Sequence, residues 1–314
     1  MKCVVVVGVA GFIGRNLAKE LLKQNYFVIG ADNFSTGKES NIEEFFKNKN
    51  FVFSEMDIRD EDALIHLFKT YNPKIVFHLA ALPRVQYSIE NPVETNEVNV
   101  KGTLNLLEAS RKTNVKRFVF ASSSSIYGDV NVDSISEYEE KKPVSPYATQ
   151  KLIGEEYCKL YYKIYGLETI CLRLFNIYGP WQDPEGQYAN LIPKTIRGCF
   201  DFEPPEIYGD GFQTRSYVYI NDALRAFMIA SETENKECLG ESFNIGNATS
   251  YSVNQVVREI QIQTNTLDLE PKMLPPVIEP KYMKADIDKA KKLLGWEPLV
   301  DLSSGLKRTI EFFE

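Results

Sequence analysis

The sequence has few of the residues that build metal and disulfide sites, with five cysteines and two histidines among 314 residues. The number of cysteines is odd, and no two of them stand at a spacing typical of metal ligands. Most lie in apolar segments that resemble strands or helices; they are Cys3, Cys158, Cys171, Cys199 and Cys238. We therefore expect a reduced, cytoplasmic protein without a metal site.

The chain also lacks long apolar runs, internal repeats and an excess of basic residues. No segment approaches the roughly 18 apolar residues of a membrane span, and a strand begins so early that we expect no signal peptide. The formal net charge is −7 and the pI is near 5.2, which argues against a nucleic acid or a membrane as partner. The length of 314 residues allows one large or two modest domains.

A glycine-rich turn between a strand and a helix is the most informative feature. The apolar run Val4–Val7 leads directly into Gly8, Gly11 and Gly14, and apolar residues follow at helical spacing. Such glycines permit a tight bend, a close approach of the backbone to a pyrophosphate and close packing of helix on sheet. The helix N-terminus offers N–H groups to the phosphates. The spacing differs from the commoner Gly-x-Gly-x-x-Gly, so the turn of another kind of α/β protein is the alternative.

Two acidic residues after later strands suit a dinucleotide. Asp32 ends the second strand, about 20 residues after the turn, where a carboxylate suits the ribose 2′-hydroxyl of NAD. The polar turn behind it is expected to wrap the adenosine; it contains Asn33, Ser35, Thr36 and Gly37. Asp57 can accept a hydrogen bond from the adenine amino group. Its alternative role is to cap the next helix, for which Asp60 is better placed.

Small and polar residues follow the fourth and fifth strands. Strand four runs into Leu79–Ala81, whose small side chains let the backbone approach a ligand. His78 is expected to be a hydrogen-bonded structural residue. Asn99, on the next helix, either reaches back towards the site or is a polar residue of the helix surface. Ser122–Ser125 end strand five, at the edge where open α/β sheets bind ligands.

A tyrosine and a lysine share one face of the helix that follows. Ser145 is expected to cap this helix and Pro146 suits its first position. Tyr147 and Lys151 are four residues apart, so their side chains lie on the same side. Such a pair is common on helix surfaces. A functional role for the pair is favoured here because the serine strand end and the glycine turn are also present.

The alternation of strands and helices predicts an α/β fold with a doubly wound parallel-sheet (Rossmann) domain and a smaller α/β substrate-binding domain. The alternation breaks after strand six at 168–174, where proline, glycine and aromatic residues become frequent. We assign residues 1–175 and 216–247 to the NAD-binding domain, and residues 176–215 and 248–314 to the other. Further helices are predicted near 41–47, 253–263, 286–294 and 303–313. Asn221 or Asp222 is expected to cap a helix that starts near Ala223.

These motifs together resemble the extended short-chain dehydrogenase/reductase family, in particular its nucleotide-sugar epimerases and dehydratases, over essentially the whole chain. The resemblance rests on the glycine turn, Asp57-Ile58, His78-Leu79-Ala80-Ala81, the serine strand end with Tyr127-Gly128, Tyr147-x-x-x-Lys151, Arg173-x-Phe175-Asn176-x-Tyr178-Gly179-Pro180 and Gly209-x-Gly211-x-x-x-Arg215. It implies NAD as cofactor and a homodimer built from the helices before strands five and six. The apolar stripe of the second helix could equally be core; it contains Tyr157, Leu160, Tyr161 and Ile164.

The resemblance implies the roles of individual residues. Tyr147 would take the proton from a sugar hydroxyl, and Lys151 would hold the nicotinamide ribose and favour the phenolate. Ser123, with Ser124 as the fallback, would hydrogen-bond the reacting oxygen and pass protons. Lowering the tyrosine pKa from 10 to near 7 requires roughly 4 kcal/mol. The residues implied at the cofactor are Gly8, Gly11, Phe12, Ile13, Gly14, Asp32, Asn33, Ser35, Thr36, Gly37, Asp57, Ile58, Leu79, Ala80, Ala81, Pro83, Asn99, Ser122, Tyr147, Lys151 and Phe175.

The serine loop indicates the reaction within this resemblance. Related 4,6-dehydratases carry Asp-Glu after the catalytic residue, and UDP-glucuronate decarboxylases carry a Glu, whereas this chain has Ser124-Ser125. The resemblance therefore implies 4-epimerisation of a UDP-hexose, either glucose/galactose or the N-acetylhexosamine pair, through a 4-keto sugar. The alternatives are a UDP-glucuronate 4-epimerase, a nucleotide 4-keto-sugar reductase and, more remotely, a non-catalytic NAD(P)-binding scaffold.

The residues implied at the substrate are less securely matched; they are Arg84, Ser123, Tyr147, Asn176, Asn190, Leu191, Tyr208, Arg215, Lys281 and Met283. Arg84 stands where a small residue is common, and it either meets a carboxylate or faces solvent. The family's second diphosphate arginine is missing from 275–280, and Lys281 is our hypothetical replacement; a mild effect of Lys281→Ala on UDP affinity would count against it. The segment 182–189 looks most like epimerases of N-acetylated UDP-hexoses. Met283 aligns with the residue that sets the space around the sugar C2 substituent. Its intermediate size does not distinguish a hexose from an N-acetylhexosamine.

Overall fold

The computed structural model describes residues 2–130, 132–185, 189–276 and 280–314. The strands are β1 Cys3–Val7, β2 Phe27–Asp32, β3 Phe51–Glu55, β4 Ile75–His78, β5 Arg117–Ser123, β6 Glu168–Leu174, β7 Asn176–Tyr178, β8 Glu206–Tyr208, β9 Thr214–Arg215, β10 Tyr217–Tyr219, β11 Glu241–Ile245, β12 Tyr251–Ser252, β13 Lys272–Leu274 and β14 Tyr282–Met283. The α-helices are α1 Phe12–Lys23, α2 Glu61–Tyr71, α3 Val85–Glu90, α4 Pro92–Asn96, α5 Gly102–Lys112, α6 Pro146–Tyr165, α7 Leu191–Phe200, α8 Ile220–Glu232, α9 Val253–Thr264 and α10 Leu302–Phe313.

Seven parallel strands form the main sheet, in the order β11-β6-β5-β4-β1-β2-β3. The strand β1 pairs with β2 on one side and with β4 on the other, so the chain winds outwards in both directions from this point. Residues Val4–Val7 are at most 1% exposed, because helices cover both faces of the sheet. The predicted doubly wound α/β fold is confirmed.

Each face of the main sheet carries its own apolar core. The helices α1 and α8 pack together on one face, where Leu17 and Phe227 belong to the core. The helices α2, α5 and α6 cover the other face, where Leu64 and Phe118 are buried. Adjacent residues of a strand point to opposite faces, so Phe77 joins the first core and Val76 the second.

The carboxyl ends of the main strands meet at one edge, because the strands are parallel. Gly8 follows β1, Asp32 ends β2, Leu79 follows β4, Ser123 ends β5 and Phe175 follows β6. Residues that are up to 167 positions apart in the sequence thus come together at this edge, where a ligand can bind.

The segments outside the main sheet build smaller sheets in the described chain. The strand β7 pairs with β10, β8 pairs with β13, and β9 lies between β12 and β14. The helix α7 packs against α9, and α10 contacts both. An isolated bridge between Ile135 and Ala285 connects the loop after β5 to the C-terminal part of the chain.

Two predicted helix caps are confirmed and one is wrong. Asp60 accepts a hydrogen bond from Ala63 N at 2.9 Å at the start of α2, and Ser145 accepts one from Ala148 N at 3.2 Å at the start of α6. Asp222 lies inside the first turn of α8, which begins three residues earlier than expected. Its buried carboxylate instead accepts hydrogen bonds from Leu299 N at 3.0 Å and Val300 N at 2.9 Å. The spacing of residues near Asp222 could not predict this partner, because residues 299–300 are distant in the sequence.

Other predicted helices form with altered geometry. The segment predicted as a helix near 41–47 forms two 3₁₀ turns, Glu39–Asn41 and Glu43–Lys47. The helix around Asn99 contains the π turn Glu97–Lys101 between α4 and α5, and the segment near 286–294 contains the π turn Ala290–Leu294. Single π turns inside helices are frequent at functional sites.

Among the described residues, no helix is both long enough and apolar enough to cross a membrane. Within the same part of the chain, no group of three or more His, Cys, Asp or Glu side chains is arranged to hold a metal ion. The cysteines are free thiols, and four of them are buried.

Candidate active site

The glycine turn after β1 packs backbone against backbone. Gly8 has a φ of +87°, and a Cβ atom built on it would lie 2.6 Å from Ala80 N. A Cβ atom on Gly14 would lie 2.0 Å from Gly8 O, so the start of α1 can pack here only with glycine. Gly11 is different: its Cβ atom would meet only Gly8 O, at 3.4 Å. The open side of Gly11 lines a cavity, next to the uncapped N-terminus of α1.

Two carboxylates stand beside this turn, at the ends of β2 and β3. Asp32 accepts hydrogen bonds from Ala10 N and Phe34 N, each at 2.9 Å, which fixes its orientation. Asp57 pairs with Arg59 at 2.6 Å and accepts a hydrogen bond from Asn33 Nδ2 at 3.0 Å. The hydrogen bond from Arg59 lowers the pKa of Asp57 to about 2. Asp57 is therefore ionised at neutral pH and can accept hydrogen bonds.

Tyr147 and Lys151 occupy the first two turns of α6, and both are buried. The backbone N–H of Tyr147 donates to Ser88 Oγ at 3.1 Å, which ties this end of α6 to α3. Lys151 Nζ donates to Ala121 O at 2.8 Å and lies 5.9 Å from the centre of the Tyr147 ring. The pair therefore faces the end of β5, as its spacing predicts.

Burial shifts the pKa values of these two residues in opposite directions. It raises the pKa of Tyr147 to about 12, although a hydrogen bond with Ser123 and the positive charge of Arg84 act against this. It lowers the pKa of Lys151 to about 8. Both groups carry their protons at neutral pH in the absence of ligands. A positive charge brought close to Tyr147 would favour its phenolate.

The serines at the end of β5 have distinct partners. Ser123 Oγ accepts hydrogen bonds from Ser125 N at 3.2 Å and from Ser125 Oγ at 2.9 Å. These two donors occupy the acceptor sites of its hydroxyl, which leaves the hydroxyl hydrogen to be donated. Ser122 points the other way and donates to Glu155. Ser124 lines the cavity with Ser123.

A buried polar network holds α6 from behind. Arg173 on β6 donates to Glu155 of α6 through Nε and Nη2, at 3.0 and 2.8 Å. Its Nη1 donates to the Tyr127 hydroxyl at 2.7 Å, and that hydroxyl donates to Asn244 Oδ1 at 2.7 Å. Ser242 of β11 also donates to Glu155, at 3.0 Å. One carboxylate thus connects the helix of Tyr147 and Lys151 to three strands.

A second group of polar side chains lines the same cavity as Tyr147. Arg84 directly precedes α3 as its N-cap residue, and its Nη1 donates to Asn190 Oδ1 at 3.4 Å. Partial burial lowers the pKa of Arg84, and the charge of Asp183 acts against this. Asn176 donates to Ser216 O at 3.3 Å, and Arg215 Nη1 to Thr214 O at 2.8 Å.

One continuous cavity of about 1460 Å³ connects the glycine turn, the Tyr147 and Lys151 pair and the Arg84 group. A pocket for one small molecule usually measures about 300–1000 Å³. The space is therefore large enough for a dinucleotide together with a second ligand.

The family is decided by comparison with known proteins. The model of the NAD dependent epimerase/dehydratase family matches residues 4–246. The chain belongs to this family. It is 35% identical to the UDP-glucose 4-epimerase of Mycolicibacterium smegmatis over 98% of this chain and 97% of that protein.

Solved structures of other family members are closely similar. The UDP-glucose 4-epimerase of Thermotoga maritima, solved with UDP-glucose, has a TM-score of 0.93 and 38% identity, covering 100% of this chain and 98% of that one. The UDP-glucuronic acid 4-epimerase of Bacillus cereus, solved with UDP-glucuronic acid and NAD, has a TM-score of 0.91 and 35% identity, covering 99% and 98%.

Most residues expected to contact the family's ligands line the cavity. At the cofactor they are Gly8, Gly11, Phe12, Ile13, Gly14, Asp32, Asn33, Ser35, Thr36, Asp57, Ile58, Leu79, Ala80, Ala81, Pro83, Ser122, Tyr147, Lys151 and Phe175. On the substrate side they are Arg84, Ser123, Ser124, Asn176, Asn190, Leu191, Tyr208, Arg215 and Met283. These residues form the candidate site as a group. The assignment of each one to a ligand remains our proposal.

Three expected residues are placed elsewhere. Gly37 packs beneath the turn, where its Cβ atom would lie 2.7 Å from Ala10 Cβ. Asn99 is buried and holds Leu82 through both backbone groups, accepting from its N–H at 2.8 Å and donating to its carbonyl at 3.1 Å. Lys281 has an exposed side chain and uses its carbonyl to accept from Thr214 N at 2.9 Å. Residues 186–188 and 277–279, within two of the predicted motifs, lie outside the described residues.

Several cavity residues were missed by sequence reasoning. Trp181 and Asp183, from the loop after β7, line the cavity together with Phe312 and Phe313 of α10. Ser125 was recognised as one of the strand-end serines and as a residue that is not acidic, but it was given no role of its own. Nothing in the local pattern indicates that the last turn of α10 reaches this site, because that contact depends on the packing of distant elements.

The site fits NAD on three observations: the backbone cradle at Gly8 and Gly14, the uncapped N-terminus of α1, and the oriented carboxylate of Asp32. We predict that Gly11→Ala folds normally but holds NAD at least tenfold more weakly, a loss of about 1.4 kcal/mol. Its Cβ atom meets no backbone closer than 3.4 Å, but it occupies the face that a pyrophosphate approaches.

The measurement is the NAD released from denatured protein, together with the melting temperature of the NAD-free form. Gly14→Ala is the contrasting variant, because its Cβ atom would overlap Gly8 O and should destabilise the fold itself. Full NAD content in Gly11→Ala would contradict the placement of the cofactor.

Proposed function

We propose that this protein catalyses the NAD-dependent 4-epimerisation of a UDP-hexose. The observation that carries the proposal is the pairing of Tyr147 and Lys151 with a strand end that offers only serine hydroxyls, Ser123–Ser125. Elimination or decarboxylation in related enzymes uses an acidic side chain at this strand end. Removing and returning a proton at one hydroxyl needs only the tyrosine. The similarity to the UDP-glucose 4-epimerases supports the same conclusion.

NAD would be held by the glycine turn, Asp32 and Asp57. When bound, this cofactor supplies reversible two-electron oxidation at C4 of the sugar and is regenerated in each cycle. Tyr147 takes the proton from the 4-hydroxyl and returns it to the 4-keto sugar after the sugar has turned over. The large cavity beside Tyr147 would leave room for this rotation. Asn190 would help to hold the sugar or uridine, and Arg215 would hold the diphosphate.

Tyr147 needs help to ionise. Bringing its pKa from about 12 to near 7 corresponds to roughly 7 kcal/mol. Lys151 contributes its ammonium charge, which Ala121 O orients from behind. The positively charged nicotinamide ring of bound NAD would supply the remainder, so the tyrosine becomes a base only in the loaded enzyme. This arrangement protects the unloaded site from carrying an unpaired buried phenolate.

The hydrogen bonds of the serine loop bear on whether the proton of the sugar 4-hydroxyl passes through Ser123 or directly to Tyr147. Ser123 receives two hydrogen bonds from Ser125, so its hydroxyl acts as a donor to Tyr147 or to the sugar oxygen. A hydroxyl with filled acceptor sites cannot take the proton of the 4-hydroxyl. We therefore propose that the proton passes directly to Tyr147, while Ser123 stabilises the oxygen that becomes negatively charged. This refines the expectation that Ser123 passes protons.

A UDP-hexuronate is the second candidate substrate, and the position of Arg84 favours it. Arg84 lines the cavity together with Tyr147 rather than facing solvent alone, and Asn190 accepts a hydrogen bond from it. A guanidinium at this position can pair with a carboxylate on the sugar. The Bacillus cereus relative acts on UDP-glucuronic acid. A UDP-hexuronate is therefore a direct alternative to a neutral UDP-hexose as the substrate of this protein.

We propose that the chain forms two domains, each of which binds one of the two ligands. Residues 1–175 and 216–247 would bind NAD, and residues 176–215 and 248–314 would bind the nucleotide sugar. We also propose a cytoplasmic location, which the free cysteines support.

The function is tested by proton NMR with no added NAD, with UDP-glucose, UDP-N-acetylglucosamine and UDP-glucuronate in separate tubes. We expect the axial 4-hydroxyl isomer to appear in one tube. If that tube contains UDP-glucuronate, Arg84→Met should lower kcat/KM about tenfold or more, because a charged hydrogen bond is worth about 1.5–3 kcal/mol. With a neutral hexose the effect should be small. No product in any tube, from folded protein that carries NAD, would refute the proposal.

Ser125 gives a test of the mechanism. We predict that Ser125→Ala moves the acidic limb of kcat/KM to higher pH by less than about one unit, because one hydrogen bond contributes about 1 kcal/mol. Loss of the Ser125 hydroxyl makes Ser123 a weaker donor, which raises the pKa of Tyr147. The rate at pH 7 should fall up to about fivefold and recover at higher pH. Ser125→Thr keeps the hydroxyl and should restore the profile. An unchanged profile in Ser125→Ala would exclude this role.

We propose that two copies of the chain pair through α5 and α6. The apolar stripe of α6 is divided in the structure: Tyr161 is buried against α5, whereas Leu160 and Ile164 are 44% and 58% exposed. Light scattering at micromolar concentration should give twice the chain mass. Ile164→Glu should give one chain mass. Phe202→Glu, at an exposed site in the turn after α7, should still give twice the chain mass. A monomeric unmodified protein would remove the claim.

A further inference from the structure

The loop after β7 contains an unusual backbone conformation at Trp181. Its φ is +71°, a left-handed value that bulky residues rarely adopt. Strained positions of this kind persist only where surrounding contacts maintain them, and they concentrate at functional sites. Trp181 also lines the cavity. Contacts with neighbouring side chains keep Trp181 in this conformation.

Trp181 is held between a buried arginine and an aromatic residue of the last helix. The Arg15 guanidinium carbon lies 3.6 Å from the centre of the Trp181 ring, and the Phe312 ring centre lies 5.1 Å away on α10. Arg15 is 2% exposed, donates to Asn41 O at 3.2 Å and pairs with Glu44. The arginine is thus fixed by its own partners and stacks on the indole as a desolvated cation.

Two neighbouring contacts join the same two parts of the chain. Asn16 Nδ2 donates to Pro180 O at 3.1 Å. Lys38 pairs with Asp183 at 3.0 Å, although both side chains are largely exposed. We name these contacts the cleft clamp: Arg15, Asn16 and Lys38 on one side, and Pro180, Trp181 and Asp183 on the other.

The cleft clamp lies at the part of the cavity that fits NAD. Arg15 directly follows Gly14 of the glycine turn, and Lys38 follows the polar turn after Asp32. Trp181 lines the same cavity as Gly11 and Phe12. A dinucleotide on the glycine turn would therefore lie beside the clamp, and opening of the clamp would expose it to solvent.

We propose that the cleft clamp retains NAD: Trp181, held in its strained conformation by the stack with Arg15, closes the cofactor's part of the cavity, and the cofactor leaves only when this stack opens. The proposal rests on the family's cofactor and not on the identity of the sugar. It assigns to Arg15 and Trp181 a positioning role, since neither residue is required to contact the reacting atoms.

The contacts of the clamp should contribute unequally. A desolvated cation–π contact is worth more than an ion pair between exposed side chains, which often contributes very little. We therefore expect the Arg15–Trp181 stack to set the release rate. The Lys38–Asp183 pair should modulate it weakly and lose its effect at high salt.

The experiment measures exchange of bound NAD against isotopically labelled NAD in the holoenzyme, without sugar. Arg15→Met and Trp181→Ala should each speed release about thirtyfold, the factor that corresponds to a desolvated cation–π contact. Trp181→Phe keeps an aromatic ring and should stay near the unmodified rate. Lys38→Ala should change it less than about threefold. Lys19→Ala is the matched control, because Lys19 lies on the same helix and pairs with Glu44 at 3.6 Å but makes no contact of the clamp.

The thermal melt of each NAD-free variant separates retention from folding. Trp181→Ala should melt only slightly below the unmodified temperature, because it loses the contacts with Arg15 and Phe312 but Trp181 belongs to neither apolar core of the main sheet. The proposal would be overturned if Arg15→Met and Trp181→Ala released NAD at the unmodified rate. It would also be overturned if Lys19→Ala accelerated release as much as these two variants do. These outcomes do not depend on epimerisation, so a protein inactive on all three UDP-sugars would still test the clamp.

Discussion

The buried ion pair between Glu155 and Arg173 fixes the helix on which the candidate chemistry depends. Glu155 is one turn beyond Lys151 on α6, and its carboxylate also receives hydrogen bonds from Ser122 and Ser242. Removing one partner of such a pair typically costs about 3–5 kcal/mol, because a charge is left buried without compensation. The pair adds little net stability, but it allows one position of α6 relative to the ends of β5, β6 and β11. Tyr147 and Lys151 take their positions from this constraint.

Exclusion of water controls the acid–base behaviour of the site. Burial penalises the charged form of both residues, which raises the pKa of Tyr147 and lowers that of Lys151. The two pKa values move apart and reverse their usual order, so that the pKa of Lys151 lies closer to neutrality than that of Tyr147. Tyr147 can therefore lose its proton near neutral pH only if ligand binding brings a positive charge close to its hydroxyl. In water the same charge would be screened and would achieve much less.

Residues whose roles follow from local spacing could be predicted from the sequence. The glycine turn, Asp32 after β2 and the Tyr147 and Lys151 pair all depend on the period of a strand or a helix, and they line the cavity. Asp222 shows the limit, because its carboxylate binds the backbone of residues 299–300 and not that of its own helix. Asn99 was correctly placed on a helix near the site, yet its amide is used to hold Leu82.

The remaining misses have the same physical origin. Trp181, Phe312 and Arg15 meet through three elements that are separated by more than a hundred residues, and no short motif encodes their stacking. Ser125 was considered as one of the strand-end serines and for the charge that it lacks, whereas in the structure its hydroxyl donates to Ser123. Periodicity indicates which elements form. It does not indicate which side chains meet when those elements pack.

The residues on the two sides of the cavity come from different kinds of structure. Tyr147, Lys151 and Ser123 belong to a long helix and the end of a central strand, whereas Arg84, Asn190 and Asp183 belong to helix-flanking positions or loops. Loops accept substitutions more readily than the elements they connect. A lineage built on this scaffold can therefore acquire a different sugar by changing its loops while the proton chemistry is inherited intact.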